Sequence, residues 1–304
     1  ITWTGNSVYS TNDLNEILKI KKGDPYDVVT MKHRLSGGGK QTDQDVAKIY
    51  RDNGYLFFDI NPVELNITGD SVDVEIRVTE GKQATLNNIV INGNNLTSEK
   101  VVRRQIFTRP GYLFSQSDFE RSIREIASLG QFDPEAIAGE GGYSIIPNQM
   151  NNTVDLVYNV TEKPSSQLEL SGGWGANTFV ASVGVSFNNF STARMFKGDA
   201  WRPVPLGDAQ NLSIKLQTNG TYYTSFVFGF TEPWLFGKKP TSLQIQSYYS
   251  RQTDSYLAIG VLSNNRVMQV YGFTAGIGNR LKWPDNYFTL YNGLSWQVYD
   301  LKNW

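Results

Sequence analysis

Beyond Gln167 the chain alternates apolar and polar residues in blocks of about ten, and this pattern constrains its fold more than any other feature. Leu212, Ile214 and Leu216 fall on one side of an extended chain, with Ser213, Lys215 and Gln217 on the other. Phe226, Phe228 and Phe230 repeat the arrangement, as do Tyr271, Phe273, Ala275 and Ile277. Phe288, Leu290, Leu294, Trp296 and Val298 stand against Thr289, Tyr291, Ser295, Gln297 and Tyr299. Side chains of a strand point to alternate faces, so each block has one apolar face and one wet face. Alternating blocks of roughly ten residues separated by turn residues are what an antiparallel transmembrane barrel requires, with its apolar belt outside and polar lumen inside. The spacing predicts about seven strands, near 167–175, 178–188, 210–219, 224–232, 241–252, 267–279 and 287–300.

Composition changes at Lys163-Pro164. Residues 1–164 carry 17 Lys+Arg and 22 Asp+Glu, whereas residues 165–304 carry 11 and 7. Aromatic residues number 14 before the junction and 25 after it. An acidic soluble arm therefore precedes a charge-poor segment whose rings suit the aromatic girdles of a barrel. No apolar run approaches the roughly 18 residues that a membrane helix needs, which excludes a helical membrane protein. The absence of cysteine is compatible with a periplasmic or outer-membrane location without establishing one. Ile1-Thr2-Trp3-Thr4 reads as a strand already in progress, so an export signal and the mature start are expected upstream.

The arm reads as one pattern written twice. The first copy, residues 1–82, opens with a strand over Ile1–Asn6 and continues with a helix capped at Ser10 or Thr11, carrying Leu14, Ile17 and Leu18. A glycine-rich loop leads to a second helix marked by Val46, Ile49 and Tyr50, ending at Asn53-Gly54. Strands over Phe57–Ile67 and Val72–Val78 close the unit. The second copy, residues 83–164, opens at Ile89–Asn94 and has a helix capped at Thr97 or Ser98. Its second helix holds Phe119, Ile123, Ile126 and Leu129, starts at Ser115 or Ser117 and stops at Gly130, before strands over Tyr143–Ile146 and Val154–Val160. Each copy is a β-α-α-β-β unit able to bury one compact α+β core. The third division is the barrel portion, residues 165–304.

Two such modules, with Ile91-Asn92-Gly93-Asn94, the segment Asp52–Phe57 and Leu129-Gly130-Gln131-Phe132-Asp133, resemble POTRA domains. The stretch Gln167–Gly175 resembles the first barrel strand of the outer-membrane β-barrel assembly family, and Phe230–Gly237 resembles the periplasmic turn after its fourth strand. The resemblance runs along essentially the whole chain and is nearest to forms from the Bacteroidetes. It implies α+β POTRA domains followed by the N-terminal part of a sixteen-stranded antiparallel barrel. Seven strands cannot close in lipid without unpaired backbone, so a longer parent protein with further strands and upstream POTRA domains is expected.

The resemblance further implies a factor that folds and inserts barrel proteins into the bacterial outer membrane, with its POTRA domains in the periplasm. The implied partners are nascent outer-membrane barrels, accessory lipoproteins, and lipid or lipopolysaccharide. A POTRA–barrel transporter of two-partner secretion is the alternative, with a passive porin third because a porin does not need the tandem arm.

Three sets of residues are candidates for this work. At the lateral seam, Leu168, Glu169, Leu170, Ser171, Gly172, Gly173 and Trp174 are expected to pair with an incoming client strand, their adjacent glycines weakening the strand interior. On exposed sheet edges, Phe57, Phe58, Asp59, Ile60, Val63 and Leu65, and Tyr143, Ser144, Ile145 and Ile146, offer strand addition. Pro62 removes one donor and makes pairing at the first edge partial. Thr231, Glu232, Pro233 and Trp234 form a periplasmic turn, read as structural: proline stops the strand and tryptophan anchors the interface. The loop Asn189–Ala209, with Trp201, Pro203 and Pro205, is expected on the periplasmic side, where it contacts the arm or accessory lipoproteins or acts as a turn that fixes barrel tilt.

Enzymatic signals are poor. The sole histidine, His33, lies in Met31-Lys32-His33-Arg34 with no cysteine and no carboxylate pattern, and reads as a surface helix residue. Gly37-Gly38-Gly39-Lys40 lacks the first glycine of a phosphate loop, which is Arg34 here, and Gln41 replaces Ser or Thr. Asp43 and Asp45 are assigned to capping the next helix, and Arg103-Arg104 is too small a basic patch for nucleic acid. No catalytic residue, metal or cofactor is expected.

Overall fold

A computed structural model describes residues 1–37, 45–164, 166–175, 178–201, 204–219, 222–237, 239–254, 266–285 and 287–303. The candidates Gly38, Gly39, Lys40, Gln41, Asp43 and Pro203 lie outside the described residues. The chain divides into two compact units: residues 1–94 with 102–161, and residues 95–101 with 162–304.

The first unit contains both repeats of the arm apart from residues 95–101, which include the start of α4. Repeat one runs β1 (Thr2–Thr4), α1 (Thr11–Leu18), α2 (Val28–Ser36), α3 (Val46–Asp52), β2 (Asp59–Thr68) and β3 (Ser71–Thr79), with sheet order β1-β3-β2. Repeat two runs β4 (Thr85–Asn92), α4 (Glu99–Arg103), α5 (Gln116–Ala127), α6 (Pro134–Ala138), β5 (Tyr143–Asn148) and β6 (Thr153–Asn159), with order β4-β6-β5. In both, the opening strand pairs parallel to the last and the closing hairpin is antiparallel. Each copy thus carries one more short helix than the β-α-α-β-β pattern. Between the two expected helices, α2 is built on Met31 and Leu35, buried four residues apart, and places His33 on its exposed side.

Capping side chains define where these helices begin. Ser10 and Asp13 form a reciprocal capping box on α1, and Asp27, Asp45, Ser115 and Asp133 accept the first free amides of α2, α3, α5 and α6. The amphipathic faces bury Trp3, Leu14, Leu18, Leu35, Tyr50 and Ile76 in repeat one. Phe114, Phe119, Ile126, Phe132, Leu156 and Tyr158 fill repeat two. Shared backbone geometry underlies the repeat: a Cβ on Gly5 would stand 2.2 Å from the Val78 carbonyl oxygen, and one on Gly93 would stand 1.9 Å from that of Val160. Both glycines have positive φ, +83° and +92°, so no other residue allows this approach of chain to chain.

The two repeats interlock through Asp52 at the end of α3. Its carboxylate accepts the Ser117 amide at 2.6 Å and the Ser117 hydroxyl at 2.7 Å, so repeat one caps a helix of repeat two. Lys48 and Glu120 pair nearby at 3.3 Å.

The second unit is an antiparallel sheet of seven strands in chain order: β7 (Ser166–Gly175), β8 (Thr178–Phe190), β9 (Gln210–Thr218), β10 (Tyr223–Glu232), β11 (Thr241–Asp254), β12 (Arg266–Arg280) and β13 (Thr289–Lys302). The register puts the alternating apolar residues on one face. Val183, Leu216, Phe226, Tyr249, Tyr271 and Val298 form one such row across it. Leu168, Leu170, Trp174, Phe273, Leu294 and Trp296 on this face are 45–83 % exposed. A sheet face of exposed Leu, Phe and Trp this extensive is not stable in water; hydrocarbon is its solvent. The opposite face carries Glu169, Ser171, Ser182, Lys215, Ser225, Gln244, Thr274 and Ser295, the chemistry of a wet lumen.

Candidate functional site

The first strand of the sheet is the leading candidate. Its residues 166–175 pair with β8 along one side, and among the described residues nothing pairs with its other side. Leu168, Leu170, Gly172 and Trp174 share the apolar face; Glu169, Ser171 and Gly173 face the lumen. The two adjacent glycines differ. A Cβ on Gly172 would lie 2.7 Å from the Phe179 ring, which covers the bare backbone from the next strand, whereas Gly173 has nothing within 4 Å of that position. On the lumenal side the Ser171 and Ser182 hydroxyls share a short hydrogen bond. The Lys215 Nζ reaches Glu169 Oε1 at 3.1 Å from two strands away. Alternation identified Lys215 as lumenal but could not name its partner, because strand register is a tertiary quantity.

The edge-strand candidates divide. Asp59, Ile60, Val63 and Leu65 lie on β2, and Tyr143, Ser144, Ile145 and Ile146 on β5, each an edge of its three-stranded sheet. Phe57 and Phe58 do not: β2 begins at Asp59. Phe58 stacks on Tyr50 at 4.2 Å between ring centroids in the core of repeat one, and Phe57 packs against the core of repeat two. Each ring gains more from burial against its core than from a solvated edge, which the alternation of the following strand concealed. A register shift between Glu64 and Asn66 leaves Leu65 and Ile67 exposed, as bulges on edge strands do. Pro62 and Pro147 both sit on the edge strands, where proline is tolerated. At the other edge, Ile145 packs inward and Tyr143 meets Phe119 edge-on at 5.1 Å.

At the base of the sheet, Thr231 and Glu232 end β10, and Pro233 and Trp234 make the turn. Glu232 accepts the Trp234 amide at 2.8 Å and a hydrogen bond from the Gln210 side chain. The connection between β8 and β9 is a dense polar network. Asn189 donates to the Thr97 hydroxyl at 2.9 Å and accepts the Ala209 amide at 3.0 Å. Ser191 donates to Asp208, Lys100 pairs with Asp208 at 2.9 Å, and Arg194 donates to Ser98 at 3.2 Å. Burial pushes the Asp208 carboxyl up, but the Ser191 and Lys100 donors outweigh it and hold it below the usual carboxylate range. This connection therefore engages residues 95–101, and Trp201 is half-exposed with its indole donating to the Met195 carbonyl. Short polar side chains spread over two distant stretches gave no periodic signal by which to find the network.

Among the described residues no cluster of three or more His, Asp or Glu side chains is placed to hold a metal. The geometry instead offers the candidate strands at sheet ends: β2 and β5 on the α+β repeats, and β7 on a sheet whose apolar face belongs in lipid. The POTRA family, described as a surface antigen variable number repeat, matches residues 1–81 and 84–163, more than half of the chain, and the Omp85 superfamily domain matches residues 205–303. This chain belongs to the POTRA family, its repeats followed by an Omp85 superfamily domain. BamA of Neisseria meningitidis is 33 % identical over 149 residues, covering 46 % of this chain and 17 % of that protein. BamA of Neorickettsia risticii is 27 % identical over 182 residues, covering 59 % of this chain and 22 % of that protein. This POTRA-family chain thus spans less than a quarter of either relative. The crystal structure of Haemophilus ducreyi BamA lacking POTRA domains 1–3 superposes with a TM-score of 0.71 over all of this chain and 50 % of that one, at 18 % identity, a likeness of fold. As a family member the protein resides in the bacterial outer membrane with its POTRA repeats in the periplasm.

Proposed function

We propose that this chain is part of an assembly factor that folds and inserts β-barrel proteins into the outer membrane, and that β7 is the strand on which a client strand is templated. The observation that carries this reading is the first strand itself. Its apolar face suits lipid, its lumenal face is polar, its backbone is weakened at Gly172-Gly173, and it opens the sheet as its first strand. Where the seam beside such a strand opens, its backbone donors and acceptors are costly in hydrocarbon until an incoming strand satisfies them. Insertion then proceeds by exchange of hydrogen-bond partners, without a catalytic group or nucleotide.

The edges of β2 and β5 act earlier, holding extended segments of the client by strand addition. Proline in both edges and the bulge at Leu65 keep that pairing short. Brief holding suits transfer from one repeat to the next. Division at residues 82/83 and 164/165 separates the two holding modules from the inserting one. Nascent barrels are the proposed clients, and accessory lipoproteins and lipopolysaccharide the proposed company of the base and of the apolar belt.

Cysteines placed at Ser171 or Gly173 should crosslink to nascent barrel strands during insertion. Capture only at the outer faces of β9 to β12 would reject the seam. Depletion of the protein should lower many unrelated outer-membrane barrels together, whereas loss of one exported substrate alone would indicate two-partner secretion.

A further inference from the structure

Strands β7, β8 and β9 contain one acidic and one basic residue between them, Glu169 and Lys215, and the fold brings those two together. Glu169 pairs in register with Gly184, and Gly184 with Lys215, so the three lie on one line across the sheet on its lumenal face. The two long side chains meet above the glycine at 3.1 Å. A Cβ on Gly184 would come 3.6 Å from the Glu169 side chain and 3.7 Å from that of Lys215, an ordinary contact. Anything longer would occupy the space of the pair. The other lumenal partners of β7 are short or neutral: Gln167 opposite Ser186, Ser171 opposite Ser182, Gly173 opposite Val180.

We propose that Lys215 is a positioning residue that keeps β7 in register with β8. This deepens the seam reading above and rests on it. A strand slipped by one residue turns Glu169 into lipid, which the apolar belt forbids. A slip of two residues preserves the alternation and is the real hazard, because Gly172-Gly173 leave little side-chain packing to oppose it. That slip moves Glu169 by about 7 Å relative to its neighbours and breaks the ion pair. A strand that templates a client through its free side passes on any error of register to the client, so the pair sets where the client begins to pair. An ion pair open to water adds little to stability; its value here lies in discriminating between two otherwise similar registers.

The test uses the full-length protein in outer membranes. Cysteines at Ser171 and Ser182 report the native register, and cysteines at Ser171 and Val180 report the register slipped by two. K215E should lower the ratio of the first disulfide to the second by about two- to fivefold, the range an exposed pair supports. The exchange E169K/K215E should restore it, and K215M, which removes the charge without repulsion, should fall between and serves if K215E fails to assemble. An unchanged ratio in both K215E and K215M, or failure of the exchange to restore it, overturns the proposal. A cysteine at Gly173 in the otherwise unaltered chain separates the two readings. If it captures no client strand, the seam reading fails; if it captures clients while the ratio ignores Lys215, only the register role fails.

Discussion

Removal of the Asp52 carboxylate should uncouple the two POTRA repeats. Asp52 belongs to α3 of repeat one, yet it accepts the amide and hydroxyl of Ser117 in the first turn of α5, and a weaker bond from Ser115 at 3.4 Å. Hydrogen bonds to a charged acceptor contribute ~1.5–3 kcal/mol each when well formed, and a negative charge at a helix N-terminus adds ~0.3–1 kcal/mol. The site is half-buried, and water replaces part of what is lost, so Asp52→Ala should cost about 2 kcal/mol. With a urea dependence of about 2 kcal/mol per molar for an arm of this size, the midpoint should fall by about 1 M. Residues 1–164 contain a single tryptophan, Trp3, buried in the core of repeat one. Its fluorescence follows repeat one, and far-ultraviolet circular dichroism follows both repeats. In the native arm the two transitions should coincide; in D52A they should separate. A double-mutant cycle with Ser117→Ala should show a coupling of about 1 kcal/mol. Additivity of D52A and S117A within about 0.5 kcal/mol, the scatter expected of independent sites, would refute the interlock.

Two further outcomes follow from the barrel unit. A Cβ on Gly272 would sit 1.9 Å from the Tyr248 ring, which lies across it on the lumenal face, so Gly272→Val should force the ring away at a cost of about 1–3 kcal/mol. The fraction of folded barrel, read from the mobility of unheated samples on a denaturing gel, should drop, and an unchanged fraction would show that the ring is not packed there. Asp208 gives a pH dependence of known sign. Its folded-state pKa is depressed, so its contribution is complete above the unfolded value near 3.8 and is lost as pH falls toward the lower folded value. Thermal unfolding of the folded protein should therefore favour the native chain over D208N by a constant margin from pH 5 to 8. The margin should shrink below pH 4, and one that grows on acidification would contradict the assignment.

Much of this architecture is legible in residue order. Period-two alternation located all seven strands of the barrel portion within a few residues, because a lipid-facing residue must be apolar wherever the strand goes next. Ser10, Asp45, Ser115 and Gly54 marked helix ends for an equally local reason: free amides and left-handed backbone need particular residues. The additional helix α2 was less visible, since Val28 and Val29 are exposed and only Met31 and Leu35 form its buried stripe.

Contacts between distant stretches lay beyond that reach. Phe57 and Phe58 continue the pattern of β2 yet turn into the cores, because what decides their place is the space left by Tyr50 and its neighbours. Asp52 reads as an exposed end of a helix until Ser117 is folded against it. Glu169 and Lys215 are 46 residues apart, and only the pairing of β7 with β8 and β8 with β9 brings them above Gly184. Residue order by itself determined which barrel side chains face lipid, which face water and where the capped helices start, since those choices depend on a residue and its near neighbours. Tertiary structure decided which partner each polar group finds, since hydrogen bonds and ion pairs act over a few ångströms and register alone sets those distances.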